Sequence, residues 1–154
     1  VYTTFGISKY NTQSGWNYLK PANLHNVRST NNISINPRKK GHMFLSSFLE
    51  GMVDITLDSE NFSQSSSVLY DYTNTPLSFI VDGGLNTTRV SGPSFDSNGT
   101  GWISNSFSNA PLKSFDLEGK WRAYSFSQFF GTTGSNIQEN EKFGVPLIDK
   151  RSIV

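Results

Sequence analysis

Large and small residues alternate between Lys120 and Phe130. Tyr124 and Phe126 fall on one face of this stretch, whereas Ala123 and Ser125 fall on the other. A period of two that is rich in aromatic residues is typical of a β-strand. The stretch is longer than an ordinary strand, and we therefore expect a closed or sandwiched sheet around it.

Further strands are predicted upstream by the same alternation, beginning at His42. Turn signals separate them: Asp82-Gly83-Gly84 follows one patterned segment, Asp96 to Gly99 follows another, and Gly119 precedes the last. The segment from Ser59 to Tyr72 fits either a short helix or a strand from Ser67 to Tyr72. In the second predicted strand, one face carries Val53, Ile55 and Leu57, and these alternate with Met52, Asp54, Thr56 and Asp58 on the other face.

These patterns predict a mainly β fold, an antiparallel sandwich or barrel with at most one short helix and extended terminal arms. The β core is expected over residues 42–134. Residues 1–41 are polar and rich in Asn, which predicts an N-terminal arm or long loop. Residues 135–154 are expected to form a C-terminal arm, because Phe143 to Ile148 supplies apolar side chains after a polar stretch.

Composition narrows the class of protein. The 154 residues fit one domain, with 14% aromatic and only 16% charged residues. A net charge of +1 gives no signal for a nucleic-acid partner, and the absence of cysteine excludes disulfides and thiolate metal sites. No apolar run is long enough to predict a membrane-spanning helix, and no signal peptide is visible, as is also true of a processed mature chain.

Two surface features carry separate hypotheses. The basic run Arg38, Lys39 and Lys40 is interpreted as a solvated turn, with contact to an acidic neighbour or a phosphate backbone as the alternative. Four N-glycosylation sequons have meaning only in a glycosylating pathway. Their acceptors are Asn32, Asn61, Asn86 and Asn98.

Catalytic signatures are weak. No cysteine nucleophile exists, and the two histidines, His25 and His42, have no evident partner in the sequence. Asp54 and Asp58 share a strand face, as glycosidase acids can, but the polar outer face of a strand is the favoured interpretation. We therefore predict no catalytic residue, no cofactor and no metal.

Three tryptophans raise an alternative. Candidates for a sugar-stacking platform are Trp16, Trp102 and Trp121, together with Tyr10, Tyr18 and Tyr124. Core packing is the default for the two that lie in alternating strands.

From Glu50 onward, the order of features resembles the phage major tail-tube protein family. The segments that carry the resemblance are residues 51–58, 59–72 and 76–81, followed by the closing pair 99–107 and 125–134. Such a resemblance implies rings of subunits whose sheets join into a barrel around a channel, with no active site.

The leading hypothesis is accordingly a non-enzymatic, self-assembling subunit of a virion or extracellular filament, most specifically a tail-tube protein. Its expected partners are copies of itself and other virion proteins, without a membrane. The alternative is a carbohydrate-binding β-sandwich, similar to a jelly-roll adhesin module, in which Trp16, Trp102 and Trp121 contact a glycan.

Overall fold

A computed structural model describes Thr4 and residues 6–126 of the chain. This part is built from β-strands, and its only helical elements are two 3-10 turns, Pro21–Leu24 and Phe62–Gln64. The mainly β, antiparallel fold predicted from the sequence is confirmed. The strands are β1 (Ile7–Asn11), β2 (Gly15–Leu19), β3 (Thr30–Ile35), β4 (His42–Ser47), β5 (Gly51–Thr56), β6 (Ser66–Tyr70), β7 (Ile80–Asp82), β8 (Leu85–Thr87), β9 (Val90–Phe95), β10 (Gly101–Asn105), β11 (Leu112–Phe115) and β12 (Trp121–Tyr124).

The strands form two four-stranded sheets and two hairpins. One sheet has the order β3-β4-β5-β6, the other β12-β11-β10-β9, and every neighbouring pair is antiparallel. The hairpins are β1-β2 and β7-β8. Each larger sheet is a meander, in which strands adjacent in sequence are adjacent in space.

The two meanders pack face to face around an aromatic core. The ring of Phe44 in β4 contacts those of Phe95 in β9 and Phe115 in β11, at centroid distances of 5.4 and 5.3 Å. At the opposite edge, Tyr70 in β6 meets Trp121 in β12 at 5.8 Å. Large rings from both sheets therefore contact one another across the interior of the sandwich. The buried members are Phe44, Met52, Leu77, Val90, Ile103 and Phe115.

A third layer covers the other face of the β3–β6 sheet. The β1-β2 hairpin and the 3-10 turn after it supply Leu19, Leu24 and Val27, which pack against Leu45 and Ile55. The centre of the β3–β6 sheet is thus covered on both faces, and β5 is buried along five of its six residues. Both faces of β5 therefore carry buried apolar side chains, Met52 on one face and Val53 and Ile55 on the other.

The structure corrects the prediction that residues 1–41 form an arm or long loop. They contain β1, β2 and β3, and β3 belongs to the same sheet as β4. The segment folds onto its own domain because Leu19, Leu24 and Val27 bury completely there. The β core therefore begins well before His42.

Two local predictions were also resolved. The segment 59–72 forms the second 3-10 turn, Phe62–Gln64, and then strand β6, so the strand interpretation is correct and the short α-helix is wrong. Asn61 caps the turn, with its side-chain oxygen accepting a hydrogen bond from the Ser63 amide. The long strand predicted over 120–130 is shorter than expected, because β12 ends at Tyr124 and neither Ser125 nor Phe126 is part of a strand. Residues 127–130 and the predicted C-terminal arm over 135–154 lie outside the described residues.

Candidate functional site

The outer face of the β1-β2 hairpin carries three exposed aromatic rings. The register pairs Tyr10 with Trp16 and Ser8 with Tyr18, so these four side chains share one face. Trp16 is 73% exposed, Tyr10 59% and Tyr18 49%. We call the surface formed by Tyr10, Trp16 and Tyr18 the aromatic face.

The other two tryptophans lie elsewhere. Trp102 stands on the outer face of the β9–β12 sheet, where its ring lies 5.5 Å from that of Tyr124. Trp121 packs inside the sandwich against Phe115, at 5.1 Å. The structure therefore does not bring Trp16, Trp102 and Trp121 onto one surface. Strand register decides which face each ring occupies, and the sequence does not show that register.

The candidate carboxylates do not converge. Asp54 is buried in β5 and lies 2.9 Å from His42 Nδ1, so His42 has a partner that the sequence did not reveal. Asp58 is exposed and accepts hydrogen bonds from the Asn61 and Glu60 amides, which lower its pKa. Burial raises the pKa of Tyr70, and the charge of Asp54 adds to the effect. Asp58 serves to close a turn, and Asp54 to pair with His42.

The turn from Asp96 to Thr100 packs against the start of the basic run. Arg38 Nε donates to the Ser97 carbonyl at 2.8 Å, and Asn36 Nδ2 donates to the Gly99 carbonyl at 3.2 Å. At least one guanidinium nitrogen of the run is therefore engaged within the chain. Lys40 is exposed, as the solvated-turn interpretation expected.

Asp96 organises the same turn. Burial alone would raise its pKa, but hydrogen bonds from Trp102 Nε1 and from the Thr100 and Asn98 amides outweigh burial, so the pKa lies below its ordinary value. The Asp96 carboxylate is thus held ionised by neutral donors. The Asp96 side chain therefore closes the β-turn and, through Trp102, connects the turn to β10.

Strand β3 forms one edge of its sheet and carries no charged residue. Ile33 is 52% exposed and Ile35 is 69% exposed, both on the face that also carries Leu45 and Met43 of β4. Within the described residues no strand pairs with the outer edge of β3. We call Ile33, Ile35 and the β3 backbone between them the apolar edge. The alternation of Ile33 with Ile35 was a strand signal that the surrounding asparagines obscured.

A second apolar projection is the β7-β8 hairpin, which turns at Gly83-Gly84. Val81 and Leu85 are exposed on opposite faces of it. At its base, the Arg89 guanidinium lies 4.8 Å from the Phe48 ring centroid and 5.4 Å from that of Phe107, and it pairs with Asp82. Arg89 therefore fixes the hairpin to the sandwich.

A buried polar cluster lies beside β11. Lys113 is 2% exposed, its Nζ donates to Ser108 Oγ at 3.1 Å, and burial lowers its pKa. Ser108 Oγ lies 2.8 Å from Ser78 Oγ, and Asn105 bonds both the Ser78 amide and the Ser78 carbonyl. This cluster has no signature in the sequence, because an isolated lysine in a strand is ordinarily exposed.

The four sequon asparagines are exposed at the surface: Asn32, Asn61, Asn86 and Asn98. Across Thr4 and residues 6–126, no group of three His, Asp or Glu side chains could hold a metal ion. No helix in that same part of the chain has the length and hydropathy to cross a membrane.

Comparisons with known proteins identify neither a family nor a function for this chain. No protein-family model, no curated protein and no solved structure matches the chain. The features from which a function can be argued are therefore the aromatic face, the apolar edge and the β7-β8 hairpin.

Proposed function

We propose that this protein is a non-enzymatic, self-assembling structural subunit of a virion or an extracellular filament, and most specifically a tail-tube protein. The observation that carries the proposal is the apolar edge. A chain that remained monomeric would be expected to protect an edge strand with charges or proline, because an open strand is a template for pairing with another chain. Strand β3 has neither, although a bulge between Thr30 and Asn32 interrupts its first half.

The chemistry of the edge suits addition of a strand from another copy. Main-chain hydrogen bonds to β3 would extend the β3–β6 sheet across the interface, and Ile33 and Ile35 would bury against apolar residues of that copy. Burying one such side chain fully is worth about 1.5–3 kcal/mol. The β7-β8 hairpin, with Val81 and Leu85 exposed, adds apolar surface for a second contact.

The test is the oligomeric state of the whole chain, measured by analytical ultracentrifugation over a concentration series and by negative-stain microscopy. If the chain assembles as proposed, rings, tubes or filaments should be visible, and their share of the total protein should rise with protein concentration. A particle that stays monomeric at high concentration contradicts the proposal.

A matched pair of variants identifies the surface. Ile35→Lys places a charge on the apolar edge and is expected to abolish assembly while leaving the circular dichroism spectrum unchanged. Thr12→Lys adds the same charge at the exposed tip of the β1-β2 hairpin and is expected to assemble normally. Assembly by both variants would show that the apolar edge is not the interface.

A further inference from the structure

The aromatic face is an organised surface. Its inner side is fixed to the domain, since Ile7 and Leu19 of the same hairpin are buried in the core and Lys9 Nζ lies 5.5 Å above the Phe62 ring. At the tip, Asn11 Oδ1 accepts hydrogen bonds from the Gln13 and Ser14 amides and closes the turn. The hairpin therefore presents its outer side chains from a defined backbone.

The rings themselves are held in place. Tyr10 and Trp16 pack against each other with centroids 5.2 Å apart and planes inclined at 58°. Tyr18 lies across Gly6, where an added Cβ would overlap the Tyr18 hydroxyl and the adjoining ring carbon. Rigid aromatic side chains lose little conformational entropy when they bind a ligand, which favours recognition by stacking.

Area and charge limit what can bind there. Three rings of about 150–250 Å² each, half to three-quarters exposed, offer roughly 400 Å². This is about half of the roughly 800 Å² that each partner contributes to a standard protein interface. Ser8, the fourth side chain on this face, is neutral, so none of the four side chains carries a charge that would attract nucleic acid or an acidic polysaccharide. Lys9 points to the inner side of the hairpin, over the Phe62 ring.

Polar groups surround the rings. Thr12 and Gln13 are exposed at the tip of the hairpin, and Tyr10 and Tyr18 each carry a hydroxyl on the rings themselves. A ligand that fits must therefore offer flat apolar C–H faces with hydroxyls around their rim. Pyranose rings have that chemistry.

We propose that the aromatic face is a binding site for a neutral oligosaccharide, whose pyranose rings stack on Trp16, Tyr10 and Tyr18. Trp16 is the central contact because it is the most exposed ring, with Tyr10 directly opposite it in the hairpin and Tyr18 two residues along β2. Trp102 and Trp121 take no part. The inference is independent of assembly through the apolar edge, since the two surfaces share no residue.

The experiment uses the full chain and three neutral hexasaccharides: β-1,4-linked glucose, α-1,4-linked glucose and β-1,4-linked N-acetylglucosamine. Binding is followed by tryptophan fluorescence and isothermal titration calorimetry at millimolar sugar. We expect at least one saturable interaction, weakened roughly tenfold or more in Trp16→Ala and in Tyr10→Ala. Trp102→Phe is the matched control and is expected to bind as the unchanged protein does.

Two results overturn the proposal. The first is that none of the neutral hexasaccharides binds. The second is that Trp16→Ala and Tyr10→Ala, each folded by circular dichroism, retain the affinity. If these variants retain the affinity but lose self-association, the aromatic face is a contact between copies. Failure of assembly in the ultracentrifuge, by contrast, would leave the sugar measurement unaffected.

Discussion

The ring of Phe115 lies between Phe44 of the opposite sheet and the backbone of Gly101 on the neighbouring strand. The two phenylalanine centroids are 5.3 Å apart, with their planes inclined at 45°. A Cβ added at Gly101 would overlap the Phe115 ring. The centre of the sandwich therefore depends on one position without a side chain.

Gly101→Ala should consequently destabilise the protein. Inserting a methyl group into a packed core displaces its neighbours and costs about 1–3 kcal/mol. The free energy of unfolding from urea titration measures the loss. Ser104→Ala, on the outer face of the same strand, is the control and should remain within about 0.5 kcal/mol of the original protein.

Lys113 should make stability depend on alkaline pH. Burial lowers its pKa below the ordinary 10.5, so the unfolded chain binds the proton more tightly than the folded one. Between the lowered folded pKa and 10.5, stability should rise with pH. Lys113→Met should remove this rise and stabilise the protein at neutral pH by about 1 kcal/mol or more, since no buried charge then remains. Lys120→Met, at an exposed turn, should change neither; an unaltered pH profile in Lys113→Met would contradict the interpretation.

Asp96 should contribute stability that is lost in acid. Its folded pKa lies below the unfolded value of about 3.8, so its contribution is present above that pH and disappears as pH falls through the folded pKa. Asp96→Ala should lose about 1–3 kcal/mol at neutral pH, because three donors lose their acceptor. Unfolding free energies at pH 7 and below pH 3.8 should differ less in this variant than in the original protein or in Glu118→Ala.

Arg89 should contribute to stability mainly through the rings of Phe48 and Phe107. Its partner Asp82 is half exposed, and such ion pairs are worth about 0–1 kcal/mol. Stacking on two rings in a largely buried position adds roughly 1–2 kcal/mol. Thermal unfolding should therefore show a larger loss for Arg89→Ala than for Asp82→Ala. Equal losses would assign the stabilisation to the ion pair.

Residues 135–154 stay a predicted intersubunit arm. Deleting them should leave a folded domain, because the described sandwich closes at β12, yet assembly should fail if this segment docks on another copy. The four apolar residues available for docking are Phe143, Val145, Leu147 and Ile148. Circular dichroism and ultracentrifugation of the truncated chain separate the outcomes; normal assembly, or failure to fold, would exclude the role.

The sequence predicted strands where residues alternate and turns where glycine or Asp-Gly pairs stand, and most of these are present. It failed for β3, because Asn31 and Asn32 are typical of loops. Asn31 tolerates the strand since its side chain donates to the Val90 carbonyl at 2.9 Å, a contact that only the packed sandwich creates. The aromatic face could be predicted only in part. The sequence identifies Tyr10 and Tyr18 as candidates beside Trp16. The placement of Trp102 and Trp121 on other surfaces depends on strand register, which the sequence does not show.

The meander order of both large sheets has a consequence for the route by which the chain folds. Each sheet needs only short connections to be closed, so its strands can pair early at small entropic cost. Contacts between the sheets join distant parts of the chain, as in the bond from Asn31 to Val90, 59 residues apart. We therefore expect the packing of the two sheets against each other to be the rate-limiting step of folding. Mutations in the aromatic core should then slow refolding more than mutations in the hairpin turns.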